Sequence, residues 1–148
     1  MQNSFLRTMR IIFFALLAGQ IIFIAVAFFT VTNNPPQSQS DDIFNILVPV
    51  IIGSGLFISS LLFKQLLAKI KNDDSFDKKL EVYRSALIMR YALLEGPSIF
   101  STAIYLISGN IIFLAFSGVM ILAFILNMPT RNKAIQDLNL SGIEADKL

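Results

Sequence analysis

Glu95 is the residue of this sequence best placed to do chemistry. It is the one carboxylate deep in an apolar run, within Met89-Arg90-Tyr91-Ala92-Leu93-Leu94-Glu95-Gly96-Pro97-Ser98-Ile99-Phe100. By helix rise it lies about 13 Å past Ala86, where the run begins, and so near the middle of a bilayer. A charge at that depth costs about 2.5–3.5 kcal/mol on insertion scales. A partner, a water-filled cavity or protonation of the acid must offset this.

Helix geometry sorts the candidate partners. Arg90 is about 140° round the helix from Glu95, and Arg84 shares its face but lies about 16 Å away. Tyr91 and Ser98, at i−4 and i+3, are within hydrogen-bonding reach. Thr102 and Tyr105 extend the same stripe. The five residues should therefore form one polar face that points into a helix bundle rather than at lipid. Gln20, near the middle of the first apolar segment, has a similar depth and is expected to hydrogen-bond Glu95 across a helix interface. Pro97 removes a backbone donor and crowds the Leu93 carbonyl, so a kink is expected there, with Gly96 making room for a helix or water. Pro49 is a second expected kink. Three roles stay open for Glu95: a protonated packing residue, a carboxylate that binds a proton, an ion or a substrate, or a contact at an interface with another protein.

Missing residue types narrow the chemistry. The 148 residues include no Cys and no His. That removes disulfides, thiol nucleophiles, thiolate metal sites, imidazole bases and haem ligation. No Gly-rich phosphate loop occurs, and no basic block suggests nucleic acid. No metal or cofactor is expected. The group Asp73, Asp74, Asp77 and Glu81 fits no calcium-loop spacing and reads as a solvated, capped turn. An enzyme would need a carboxylate mechanism, and Glu95 has no second acid at its depth.

The elements that must position these residues are membrane helices. Of the chain, 55% is hydrophobic and only 15% charged, against about a quarter charged in soluble domains. Apolar segments run from about 11 to 31, 43 to 63, 86 to 107 and 111 to 128. The first contains Ala25-Val26-Ala27, a small-x-small pattern like a signal cleavage site. Its length and the following Phe28-Phe29 favour a retained helix. Small residues (Ala15, Gly19, Gly53, Ser54, Gly55, Ser59 and Ser60) are expected at close helix contacts. The second and third helices should extend beyond the membrane, meeting at a turn over 72–75 where Asp74 or Ser75 caps the third. Ser108-Gly109-Asn110 forces a tight hairpin. Pro129 should end the fourth helix, with Thr130 capping a short tail helix, Arg131 to Leu138, in a tail spanning 129–148.

Eleven of the twelve Lys and Arg residues lie before the first segment, around the middle connection or in the tail, and the twelfth, Arg90, lies near the start of the third segment, on the side of the middle connection. The loop 32–42, with Asp41 and Asp42, and the turn 108–110 carry none. The positive-inside rule therefore predicts both termini in the cytoplasm. The expected architecture is an all-α four-helix transmembrane bundle of the cell's cytoplasmic membrane.

Two resemblances follow from the residues quoted. The Met89–Phe100 stretch, together with Met128-Pro129-Thr130-Arg131 to Asp137-Leu138-Asn139-Leu140, resembles a group of small uncharacterised bacterial membrane proteins of the Bacteroidota type. That likeness implies the fold and brings no activity. The Glu95 helix alone is similar to the second helix of the ATP synthase proteolipid, subunit c, which implies a titrating carboxyl. The Gly-rich first helix of that family is absent. The function expected is a non-enzymatic accessory, assembly or interaction subunit, partnered by the bilayer and by another membrane protein or its own copies. The alternative is a proton- or ion-coupled transporter centred on Glu95.

Overall fold

The computed structural model describes residues 3–36, 42–71 and 73–146; Asp41 and Asn72, named in the loop and turn above, lie outside them. Six helices occur among the described residues: α1 (Asn3–Asn33), α2 (Asp42–Leu67), α3 (Phe76–Ser108), α4 (Ile111–Leu126), α5 (Arg131–Leu138) and α6 (Gly142–Ala145). α1 and α2 are long and apolar enough to cross a membrane, and α4 with α5 makes a third only if a pair bent by 76° counts as one span. Four equivalent spans are thus more than length and apolarity deliver. α3 is diluted by its polar face. α4 has 16 residues and rises about 24 Å, short of a hydrocarbon core of about 30 Å.

α3 is the central helix, packed against α1, α2 and α4. Its contact with α1 has a regular seam. Leu6, Met9, Phe13, Gln20 and Ala27 are buried, with half-buried Leu16 and Phe23 completing alternating steps of three and four. The buried face of α3 steps the same way through Leu87, Tyr91, Leu94, Ser98, Ser101 and Tyr105. Such spacing is the signature of knobs-into-holes packing. Phe5 meets Tyr83 and Phe13 meets Tyr91, with ring centroids 6.2 and 5.6 Å apart. Val31 reaches Gly109 at the far end. All three pairs share one sequence offset, so α1 and α3 run parallel and in register along their length.

Local chemistry sets the helix ends. Ser75 caps α3, its Oγ accepting from the Lys78 amide at 3.4 Å. Asp74 instead accepts from the Lys71 amide at 2.9 Å and from Lys78 Nζ at 2.6 Å, which holds its carboxyl below the usual range, chiefly through Lys78. The expected capped turn is therefore present. α3 closes on Gly109 in the left-handed region, φ 69°, a conformation that glycine adopts without a Cβ clash. Asn110 then caps α4. After α4 the chain turns at buried Pro129, and Thr130 caps α5 over the expected range.

Small residues at the helix contacts are fewer than expected. α2 and α3 run as continuous helices through Pro49 and Pro97. Gly96 faces open space instead of a neighbour, as do Gly19 and Gly53. Ala15 and Ser54 are exposed and Ser60 is half-buried. The close contact is Gly55 with Ser59 buried beside it. A Cβ on Gly55 would lie 2.7 Å from Pro97 Cγ and 3.0 Å from the Leu93 carbonyl oxygen. That carbonyl is the one Pro97 leaves without its helical donor. The stiff proline ring and the backbone oxygen have little room to give. Gly55→Ala should therefore lower stability by about 1–3 kcal/mol, while Gly53→Ala, which meets nothing, should not destabilise the protein. Unfolding of both variants in the same detergent measures the difference.

Candidate functional site

The polar stripe of α3 does face inward. Tyr91, Ser98, Thr102 and Tyr105 are buried and only Glu95 is half-buried. The Thr102 hydroxyl and the Ser98 carbonyl form a relay with Ser117 of α4. Thr102 Oγ1 donates to Ser117 Oγ at 2.8 Å, and Ser117 Oγ donates to the Ser98 carbonyl at 3.0 Å. Ser101 Oγ donates to the Phe113 carbonyl. Two turns nearer the helix start, Tyr91 packs in an aromatic cluster with Phe13 of α1 and Phe124 of α4. Its hydroxyl donates to the Asn127 carbonyl at 3.3 Å. Each hydroxyl assigned here serves helix packing, and none reaches Glu95.

Glu95 stands apart from the relay. Successive residues turn by about 100°, which puts Glu95 on the edge between the buried face and the outward face. That outward face carries exposed Ile88, Ala92, Gly96 and Ile99. Among the described residues no side chain hydrogen-bonds or ion-pairs with its carboxyl. Neither arginine serves: Arg90 lies over the Phe63 ring at 4.5 Å and Arg84 over Phe5 at 5.6 Å.

The expected Gln20–Glu95 hydrogen bond is not formed. Gln20 is 2% exposed, and both its amide nitrogen and its oxygen lack a partner. The register explains this. The common offset of α1 and α3 sets Gln20 level with Ser98 and Leu17 level with Glu95, so the amide sits about 4.5 Å of rise too far along. At that level the Thr102 hydroxyl and the Ser98 carbonyl are already engaged with Ser117 of α4.

A second polar cluster was not anticipated as a site. Where α3 begins, the tail folds back against it. Tyr83 donates to Asp137 of α5 at 3.2 Å, and Lys79 pairs with Glu144 of α6 at 3.0 Å. Burial raises the Asp137 carboxyl above its usual range, although Tyr83, Arg90 and Lys133 oppose this. Burial also raises the Tyr83 phenol. Glu144 is lowered, first by the Ser141 amide and then by Lys79. The sequence carried one signal for α6: Ser141-Gly142-Ile143-Glu144 has the capping-box form, and the box is made.

Comparison with protein-family models, with curated proteins and with solved structures finds no match.

Two outcomes are expected. Gln20→Leu removes a buried amide with no partner and should stabilise the protein by about 1–3 kcal/mol; unfolding in detergent that is unchanged or weakened would contradict this. The tail should respond to pH in opposite senses. The raised Asp137 contributes stability below the ordinary carboxylate range, lost as pH rises through its folded value. The lowered Glu144 contributes above that range, lost as pH falls. Hydrogen-exchange protection, corrected for intrinsic rates, should therefore fall in α5 on alkalinisation and in α6 on acidification. Asp137→Asn should flatten the first trend and Glu144→Gln the second.

Proposed function

We propose that this protein is a non-enzymatic assembly or interaction subunit of a bacterial inner membrane, crossing it four times with both termini in the cytoplasm, and that the Glu95 flank of α3 is where it meets its partner. The orientation rests on the one-sided placement of its basic residues. α3 serves as the third crossing because its polar stripe is turned away from lipid, leaving an apolar outward face.

The observation that carries this reading is that Glu95 has no hydrogen-bond or ion-pair partner among the described residues. An ionisable group near mid-membrane is too costly to leave facing hydrocarbon. Interior residues cannot relieve it, because the Ser/Thr relay and the aromatic cluster fill the core beside it. Protonation lowers the cost, and the outward side is where a hydrogen-bonding partner can reach the carboxyl. There, exposed Ala92 and Gly96 form a small-xxx-small pair next to the carboxyl, the pattern that lets a second helix approach closely. A polar side chain on that helix would hydrogen-bond Glu95.

Glu95→Leu and Gly96→Ile should each abolish cross-linking from a photoreactive residue at Ile99 to a partner helix or a second copy, while the monomer keeps its unfolding profile. Reconstitution in liposomes separates the transport reading. If a pH gradient drives flux through the parent protein and not through Glu95→Gln, Glu95 is a translocating group and the assembly reading fails.

A further inference from the structure

A cavity of ≈ 160 Å³ opens where α2, α3 and the α4–α5 bend meet, and Phe63, Tyr83, Arg90, Asn127, Lys133 and Asp137 line it. Glu95 does not line it, and the assembly reading does not use it. Arg90 is its least satisfied member. Its Nε is buried without a hydrogen-bond partner. The guanidinium forms no ion pair among the described residues; its Cζ lies over the Phe63 ring, 4.5 Å from the centroid. Stacking of that kind fixes an arginine while leaving its N–H edge free. Lys133 is fixed too. Its Nζ donates to the Leu126 carbonyl at 2.6 Å and to the Met128 carbonyl at 3.5 Å. Those two bonds leave one of its three protons uncommitted. Asp137 is turned toward Tyr83, which donates to it at 3.2 Å.

The cavity thus presents two fixed cations with spare donors against one carboxylate already engaged. Its net charge is positive whether or not Asp137 is ionised. It also lies where the apolar run of α4 ends, at the depth of phospholipid phosphates. We propose that this cavity binds a phosphate group, with Arg90 as the forked donor and Lys133 as the second cation. A planar guanidinium matches two phosphate oxygens at once. Basic pockets between membrane helices at this level hold anionic headgroups. A lipid headgroup and a free phosphate would satisfy the same donors. Asp137 is the restraint on the site, because its negative charge opposes the anion.

The test uses the full chain in neutral detergent. Native mass spectrometry would measure retention of phosphatidylglycerol against phosphatidylcholine, and unfolding temperature would be followed with inorganic phosphate. Retention of the anionic lipid alone identifies a headgroup site. A phosphate-dependent rise in unfolding temperature identifies a soluble ligand. Either should be lost in Arg90→Gln and kept in Arg131→Gln, whose arginine is exposed and bonds Ala145 instead. Asp137→Asn should tighten binding roughly fivefold, the equivalent of one charge near a membrane surface. This gain is readable even if Arg90→Gln fails to fold. No binding of either probe, binding undiminished in Arg90→Gln, or binding unchanged or weakened in Asp137→Asn would overturn the assignment.

Discussion

The constraint behind this fold is that α3 carries polar side chains that its apolar surroundings cannot solvate. A hydroxyl in an apolar medium needs a partner, and a helix offers its neighbours few free backbone groups. The arrangement of α1 and α4 around α3 follows from this. Ser117 of α4 sits where it can bridge Thr102 and the Ser98 carbonyl. Phe13 and Phe124 cover the ring of Tyr91, which buries its apolar body and leaves its hydroxyl for the Asn127 carbonyl. α2 approaches from another side, where Gly55 lets the two backbones close on Pro97. Only Glu95 is left over from this accommodation, and it sits at the edge.

Much of this was legible from the residues. The helix ends at Ser75, Gly109 and Thr130 follow from capping chemistry, and they fall where the sequence puts them. The inward orientation of Tyr91, Ser98, Thr102 and Tyr105 follows from helical periodicity alone. The failures lie between helices. Depth along separate apolar segments was judged from where each run begins, and α1 starts at Asn3, well before its apolar run. The pairing of α1 with α3 is set instead by alternating threes and fours in both helices, and that pattern gives a different level for Gln20. Small residues mislead for a similar reason. A glycine marks a close contact only if its face meets a helix, and the sequence does not say which faces do. Gly55 and Gly96 look alike on the page, yet one is in the tightest contact of the fold and the other faces open space.

The tail shows a different limit. Asp137 and Tyr83 are far apart in sequence, and so are Lys79 and Glu144. Their contacts exist because Pro129 turns the chain back along the start of α3. Short helices such as α5 and α6 are too brief to be stable alone. Their order comes from caps and from what they dock on. The same bend brings Lys133 and Asp137 beside Arg90, a grouping with no motif in the linear sequence.

The parallel seam of α1 and α3 bears on how the chain is made. Synthesis runs from the N-terminus, so α1 and α2 emerge before the helix that α1 must pair with. Until α3 follows, the Gln20 position has no seam to enter, and α1 waits on its own apolar surface. α3 faces no such delay, because the tight Ser108–Asn110 turn delivers α4 directly beside it and the Ser/Thr relay can close within one hairpin. Biogenesis therefore divides the molecule into two early, independent helices and a late hairpin that gathers them.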